Sequence, residues 1–214
     1  MTIKTYMRKN MFPIMWELAF VVSCFFTPKR YVIYTNLVFY LGILVYFLGQ
    51  RDISFRKWSE NLHSGRIFWK AVGFTLLGFI GVFGMVVAAE SLFPDLPTGS
   101  IGLVRNTWGT LLLFAVSTIL MPPLCEEMFY RGSMIVTDGG KAVLVITTLL
   151  SMFLYALEHA LAPFGILTAM LLAVPMSVAY IKTKNIYVTM TAHLIANLMG
   201  NGIDVIWTAV NWLS

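Results

Sequence analysis

Charge is scarce in this chain. Of 214 residues, 15 are Lys or Arg and 10 are Asp or Glu, 12% together, while 58% are hydrophobic. A soluble domain carries about 25% charged residues. Several apolar runs approach the length of about 20 residues that crosses a bilayer, with no polar face recurring every turn, so a soluble core is set aside. Cysteine is limited to Cys24 and Cys125, both in apolar runs and without a CxxC, and no disulfide framework is implied. Internal repeats and low-complexity linkers are missing, which argues against the doubled halves of a secondary transporter. No cleavable signal peptide is evident: the first apolar run lacks a small-residue cleavage site and leads into a second. The net charge of +5 does not form a nucleic-acid-binding stripe; the cations collect between apolar runs. The expected partner is therefore the lipid bilayer, with no nucleic acid.

What is present reads as an all-α, polytopic membrane helical bundle of about seven to eight transmembrane helices. Candidate spans are 11–26, short and carrying Glu17; 31–48; 68–89; 108–136, interrupted at Pro122-Pro123; 141–161; 164–181; and 186–199, with a short candidate at 203–213. The chain reads as one integral membrane domain, 1–214, with a catalytic core region at 108–200. With the N-terminus cytoplasmic, Lys4, Arg8, Lys9, Arg51, Arg56, Lys57, Arg66, Lys70, Arg131, Lys141, Lys182 and Lys184 fall inside and only Lys29, Arg30 and Arg105 outside, the bias expected of cytoplasmic loops. Lys29-Arg30 beside a short first helix is the anomaly, and a re-entrant first helix would change the count. The basic loop 50–66 interleaves Phe55, Trp58 and Phe68 with Arg51, Arg56, Lys57 and Arg66 and reads as an interfacial anchor. Trp207 and Trp212 read the same way.

Within this apolar background two glutamates stand side by side in Cys125-Glu126-Glu127-Met128-Phe129-Tyr130-Arg131. A carboxylate at bilayer depth costs several kcal/mol unless it is paired, protonated or faces a wet cavity. Glu127 and Arg131 are four apart with the acid first, the favourable order for an ion pair. Glu126 points about 100° away and has no local partner, which leaves it available for acid–base chemistry. The only histidines are His63, in the basic loop and read as solvated, His159 at the end of one run, and His193 within another. His193 shares a helix face with Asn197, four residues on. A Glu with two His has the composition of a catalytic zinc site. Glu126, His159 and His193 would be its ligands, but the HExxH helix is absent, so zinc and a metal-free site both stand. Without metal, a Glu and a His activate water while a His and an Asn receive an oxyanion.

These residues, in this order, resemble the CPBP family of intramembrane CAAX-protease and bacteriocin-processing enzymes, also called Abi proteins. Its pattern is EExxxR, FxxxH and HxxxN or HxxxD on successive core helices. Here the three fall on Glu126-Glu127 with Arg131, on Tyr155 to His159, and on His193 to Asn197, within about 108–200. The resemblance implies an all-helical membrane fold and peptide-bond hydrolysis near the C-terminus of hydrophobic or lipidated substrates. It assigns water activation to Glu126 and His159, the oxyanion to His193 and Asn197, and support of the site to Glu127 and Arg131, with Tyr155 in place of the usual Phe. Members have been described both as metalloproteases and as metal-free glutamate enzymes. The other reading is a non-catalytic immunity or scaffold protein of the same architecture. Glu158, just before His159, is read as solvated at a helix end, with contact to the site as the alternative. Depth poses a difficulty: Glu126 comes about 15 Å from the inner end of its helix and His193 about 13 Å from Lys184, but His159 about 27 Å from Lys141.

Overall fold

The computed structural model describes residues 3–50 and 53–213, and the interfacial position expected of Arg51 lies outside the described residues. Among the described residues ten α-helices follow one another: α1 Ile3–Phe26, α2 Val32–Gly49, α3 Phe55–Leu62, α4 Arg66–Leu92, α5 Trp108–Ala115, α6 Met121–Glu126, α7 Lys141–His159, α8 Pro163–Thr183, α9 Ile186–Asn197 and α10 Ile203–Leu213. Wider π turns at Val116–Leu120, Glu127–Ser133 and Leu198–Gly202 join or extend them, so that Trp108–Ser133 is one continuous rod. Among the described residues six helices are long and apolar enough to cross a membrane: Lys4–Phe26, Lys29–Gly49, Arg66–Leu92, Trp108–Ser133, Lys141–His159 and Pro163–Thr183. The expected seventh span is α9, which runs through the third π turn into α10. Large apolar side chains such as Phe74, Leu77, Ile80 and Met85 on α4 are exposed, as a lipid-facing surface requires.

Three boundaries differ from the sequence reading. The first helix is not short: it takes in Lys4, Arg8 and Lys9 and runs for 24 residues, about 36 Å at 1.5 Å per residue. Long basic side chains bury their stems and hold the charge toward the headgroups, so a helix can begin before its apolar run does. Pro122-Pro123 does not break the rod. Proline lacks an N–H, and the preceding π turn shifts the hydrogen-bond register so that the chain stays helical through them. The rod ends at Ser133 rather than near 136, and this resolves the depth difficulty. Val136 N–H donates to Thr147 Oγ1 and Ser151 Oγ donates to the Tyr130 carbonyl. α7 therefore runs antiparallel with its first turns reaching past the end of the rod, and His159 comes level with Pro122-Pro123, about one turn from Glu126.

One buried cluster joins α1, α2, the 108–133 rod and α7 through Phe20, Phe39, Ile43, Phe47, Phe129 and Tyr130, and a second joins α4, α8 and α9 through Phe68, Val72, Met176 and Ala192. Phe68 is thus a core residue. Trp58 donates its indole N–H to Thr191 Oγ1 on α9, so of the aromatics expected to anchor the basic loop Phe55 alone is exposed. Trp207 is exposed, and Trp212 packs edge-on against Trp108.

The connection 93–107 folds over the α7–α8 corner in extended form. Ile101 N–H donates to the His159 carbonyl and Leu161 N–H to the Gly99 carbonyl, which ties the connection to this corner. Two glycines permit this approach: Gly99 has φ 61° and lies against Ala162, and Gly165 abuts the Thr98 carbonyl where any Cβ would collide with backbone. Gly165→Ala is expected to cost about 1–3 kcal/mol through overpacking, read as a lower unfolding temperature in detergent. An unchanged transition would mean the connection is free to lift.

Candidate active site

Nearly every polar group that the sequence singled out lines one cavity of about 270 Å³, together with Tyr40, Ser117 and Glu158. Glu126, Arg131, Tyr155, His159, His193 and Asn197 all border it. Glu127 lies just behind, fully buried. The opposite wall is apolar: Phe79, Ile101, Leu103, Phe114, Leu172 and Met176.

The two glutamates differ as their positions on the helix imply. Glu127 Oε1 accepts from Arg131 Nη1 at 3.2 Å, and the same oxygen meets His193 Nδ1 at 2.8 Å. Arg131 Nη2 also donates to the Ala173 carbonyl at 3.4 Å, and its guanidinium lies 4.9 Å from the centre of the Tyr155 ring. Glu127 is therefore more than half of an ion pair. A carboxylate paired with arginine only accepts, so His193 Nδ1 must carry a proton, and Nε2 is turned toward Glu126. The pinning of His193 is the functional contact that helix periodicity did not reveal.

Glu126 Oε1 accepts from the Tyr40 hydroxyl at 2.6 Å. Oε2 is buried without a hydrogen-bond partner and lies 3.9 Å from His193 Nε2, so one water can contact both. Tyr40 was missed, although a signal exists: Asn36 and Tyr40 are four apart on apolar α2, and both border the cavity.

His159 stacks on Tyr155 with ring centres 4.3 Å apart, and its Nδ1 lies 2.9 Å from the Tyr155 carbonyl. A carbonyl only accepts, so Nδ1 carries hydrogen and Nε2 of the neutral ring keeps its lone pair. Asn197, half-buried, sits one turn beyond His193. Glu158 corrects the expectation of a solvated residue: it is 5% exposed and accepts from the Tyr130 hydroxyl at 2.8 Å. His63 stays outside the site, exposed on α3's C-cap, with Nδ1 bonded to the Ser59 carbonyl.

Among the described residues no group of three or more His, Cys, Asp or Glu is placed to hold a metal ion. The possible zinc set Glu126, His159 and His193 is thus not assembled as a ligand shell, and no step below passes through a metal.

Residues 108–199 match a family model described as type II CAAX prenyl endopeptidase Rce1-like. The match begins at the first residue of the rod that carries both glutamates and ends two residues after Asn197. No curated protein and no solved structure matches the chain.

Proposed function

Because residues 108–199 match the Rce1-like type II CAAX prenyl endopeptidase family model, we propose that the chain is an intramembrane endopeptidase that hydrolyses a peptide bond near the C-terminus of a hydrophobic or prenylated, CAAX-like substrate. The observation that carries this reading is the free Glu126 oxygen facing the outer nitrogen of a histidine whose inner nitrogen is pinned.

In this mechanism a water between Glu126 and His159 gives a proton to Glu126 while its oxygen attacks the scissile carbonyl carbon. His159 Nε2 accepts a hydrogen bond from the water and orients it. The carbonyl oxygen becomes an oxyanion that receives hydrogen bonds from His193 Nε2 and Asn197 Nδ2. Since Nδ1 is already committed to Glu127, Nε2 donates only when the ring carries both protons, and Glu127 is then its counter-ion. Glu126 returns its proton to the leaving nitrogen as the C–N bond breaks, releasing a carboxylic acid and an amine. The apolar wall suits an aliphatic or isoprenoid group, and the polar floor suits the peptide. Lys9 and Lys184 line one crevice at the opposite end of α8 from Pro163, which supports a cytoplasmic N-terminus.

The test is hydrolysis of a farnesylated Cys-aliphatic-aliphatic-X peptide by purified protein in lipid, set against the unprenylated peptide and the His193→Ala variant. The expected result is cleavage that prenylation favours and His193→Ala abolishes. A folded wild type that cleaves no such peptide, or His193→Ala that cleaves equally well, would return the chain to the immunity or scaffold reading. Asn197→Ala is expected to lower kcat about a hundredfold, as loss of one oxyanion donor does, with KM little changed. A rise in KM alone would make Asn197 a substrate-binding group.

A further inference from the structure

Glu17 lies on α1, outside the region matched by the family, and hydrolysis as described above does not use it. It is fully buried, and neither carboxylate oxygen has a hydrogen-bond partner. Its place is fixed by the same kind of register that places His159. Asn10 and Ser133 exchange hydrogen bonds, Ser133 Oγ to Asn10 Oδ1 at 2.7 Å and Asn10 Nδ2 to the Ser133 carbonyl at 3.3 Å. Seven residues along α1 is Glu17, and seven residues back along the antiparallel rod is Glu126, both about 10 Å from that clasp.

Glu158 comes to the same level from α7. Glu158, Tyr130 and Glu126 lie within electrostatic reach of Glu17, and Tyr40 adjoins from α2 through its bond to Glu126. Glu158 Oε1 and Glu126 Oε2 are buried and unpartnered as well. Among the described residues neither Glu17 nor Glu158 forms an ion pair: Arg131 is committed to Glu127, and His193 meets Glu127 and Glu126. Glu17 and Glu158, with three orphaned oxygens between them, cannot both be charged in an apolar interior without a cation. Orphaned oxygens do suit groups that share protons, because an ionised carboxylate only accepts and a protonated one donates.

We propose that Glu17 and Glu158 share protons across their facing oxygens beside Glu126, and that Glu17 is a positioning residue: as a protonated acid it donates a hydrogen bond to Glu158, which with Tyr130 and Tyr40 holds the Glu126 carboxylate aimed into the cavity. The kinetic consequence rests on the proposed hydrolysis at Glu126; the sharing of protons does not.

The two parts are tested separately. Infrared spectra of the purified protein at neutral pH are expected to show the carbonyl stretch of protonated carboxylic acid, and Glu17→Gln is expected to remove part of that band. An identical band in wild type and variant would overturn the proposal whether or not the protein is a protease. In the peptide assay Glu17→Leu is expected to lower kcat about tenfold with KM within about twofold. Glu17→Gln, whose amide still donates, is expected to recover most of that loss. Full kcat in Glu17→Leu, or Glu17→Gln as slow as Glu17→Leu, would overturn the positioning role. If Glu17→Leu does not fold, Tyr130→Phe takes its place: it keeps the ring, removes the hydroxyl that Glu158 accepts from, and is expected to show the same selective fall in kcat. An unchanged kcat there would overturn the role equally.

Discussion

Glu126→Gln is expected to lower kcat for peptide hydrolysis about a thousandfold, with KM nearly unchanged and the unfolding temperature equal to or above that of the wild type. The amide keeps the size of the carboxylate and can still accept from the Tyr40 hydroxyl, so the packing of α2 against the rod survives. What disappears is the group that accepts a proton from water. Stability is expected to hold or rise because the variant replaces a buried carboxylate with a neutral amide of the same size. Measuring kcat, KM and thermal unfolding on one preparation separates the outcomes. Loss of activity with loss of fold would make Glu126 a structural residue, and retained activity would remove it from the mechanism.

Arg131→Ala is expected to be the most damaging single change to the fold, at about 3–5 kcal/mol, because it strands the Glu127 carboxylate in the interior. The guanidinium is 1% exposed and is held by Glu127, by the Ala173 carbonyl on α8 and by the Tyr155 ring on α7, so its removal loosens three helices together. The double variant Glu127→Gln with Arg131→Met removes both charges and is expected to recover much of the stability, since replacing a buried ion pair with packed neutral groups is often tolerated. It is not expected to recover hydrolysis, because His193 loses the carboxylate that holds its inner nitrogen. Unfolding midpoints in detergent, set beside peptide turnover, check both statements. Activity in the double variant would show that Glu127 serves the arginine alone.

The parts of the fold and site that were legible in the sequence share one property: they depend on a single helix. Apolar runs announce spans because each helix satisfies its own backbone in lipid. The Glu127–Arg131 pair and the common face of His193 and Asn197 follow from 3.6 residues per turn. The contacts that lay hidden join different helices. Tyr40 meets Glu126 across 86 positions, His193 meets Glu127 across 66, and Tyr130 meets Glu158 across 28. No periodicity encodes which face of one helix meets which face of another. Glu158 was read as solvated because it stands at the end of an apolar run, yet α7 ends beneath the connection 93–107, where Ile101 pairs with the His159 carbonyl, so the end of the run is not the edge of the protein. Local chemistry also misled at Pro122-Pro123, where a widened turn absorbed what reads as a break.

The shared oxygen of Glu127 has a consequence for the charge of the reacting centre. With His193 carrying both protons, Glu127 and Arg131 cancel, and so do Glu126 and His193, leaving these four groups electroneutral. In the proposed hydrolysis, Glu126 becomes neutral at the moment the substrate oxygen becomes negative. The anion relocates by a short distance within the cavity, and the total does not change. A low-dielectric interior penalises the creation of net charge far more than its displacement. Hydrolysis, a reaction of water and ions, can in this way run to completion inside a lipid-embedded protein without any step in which the membrane must accommodate an additional ion.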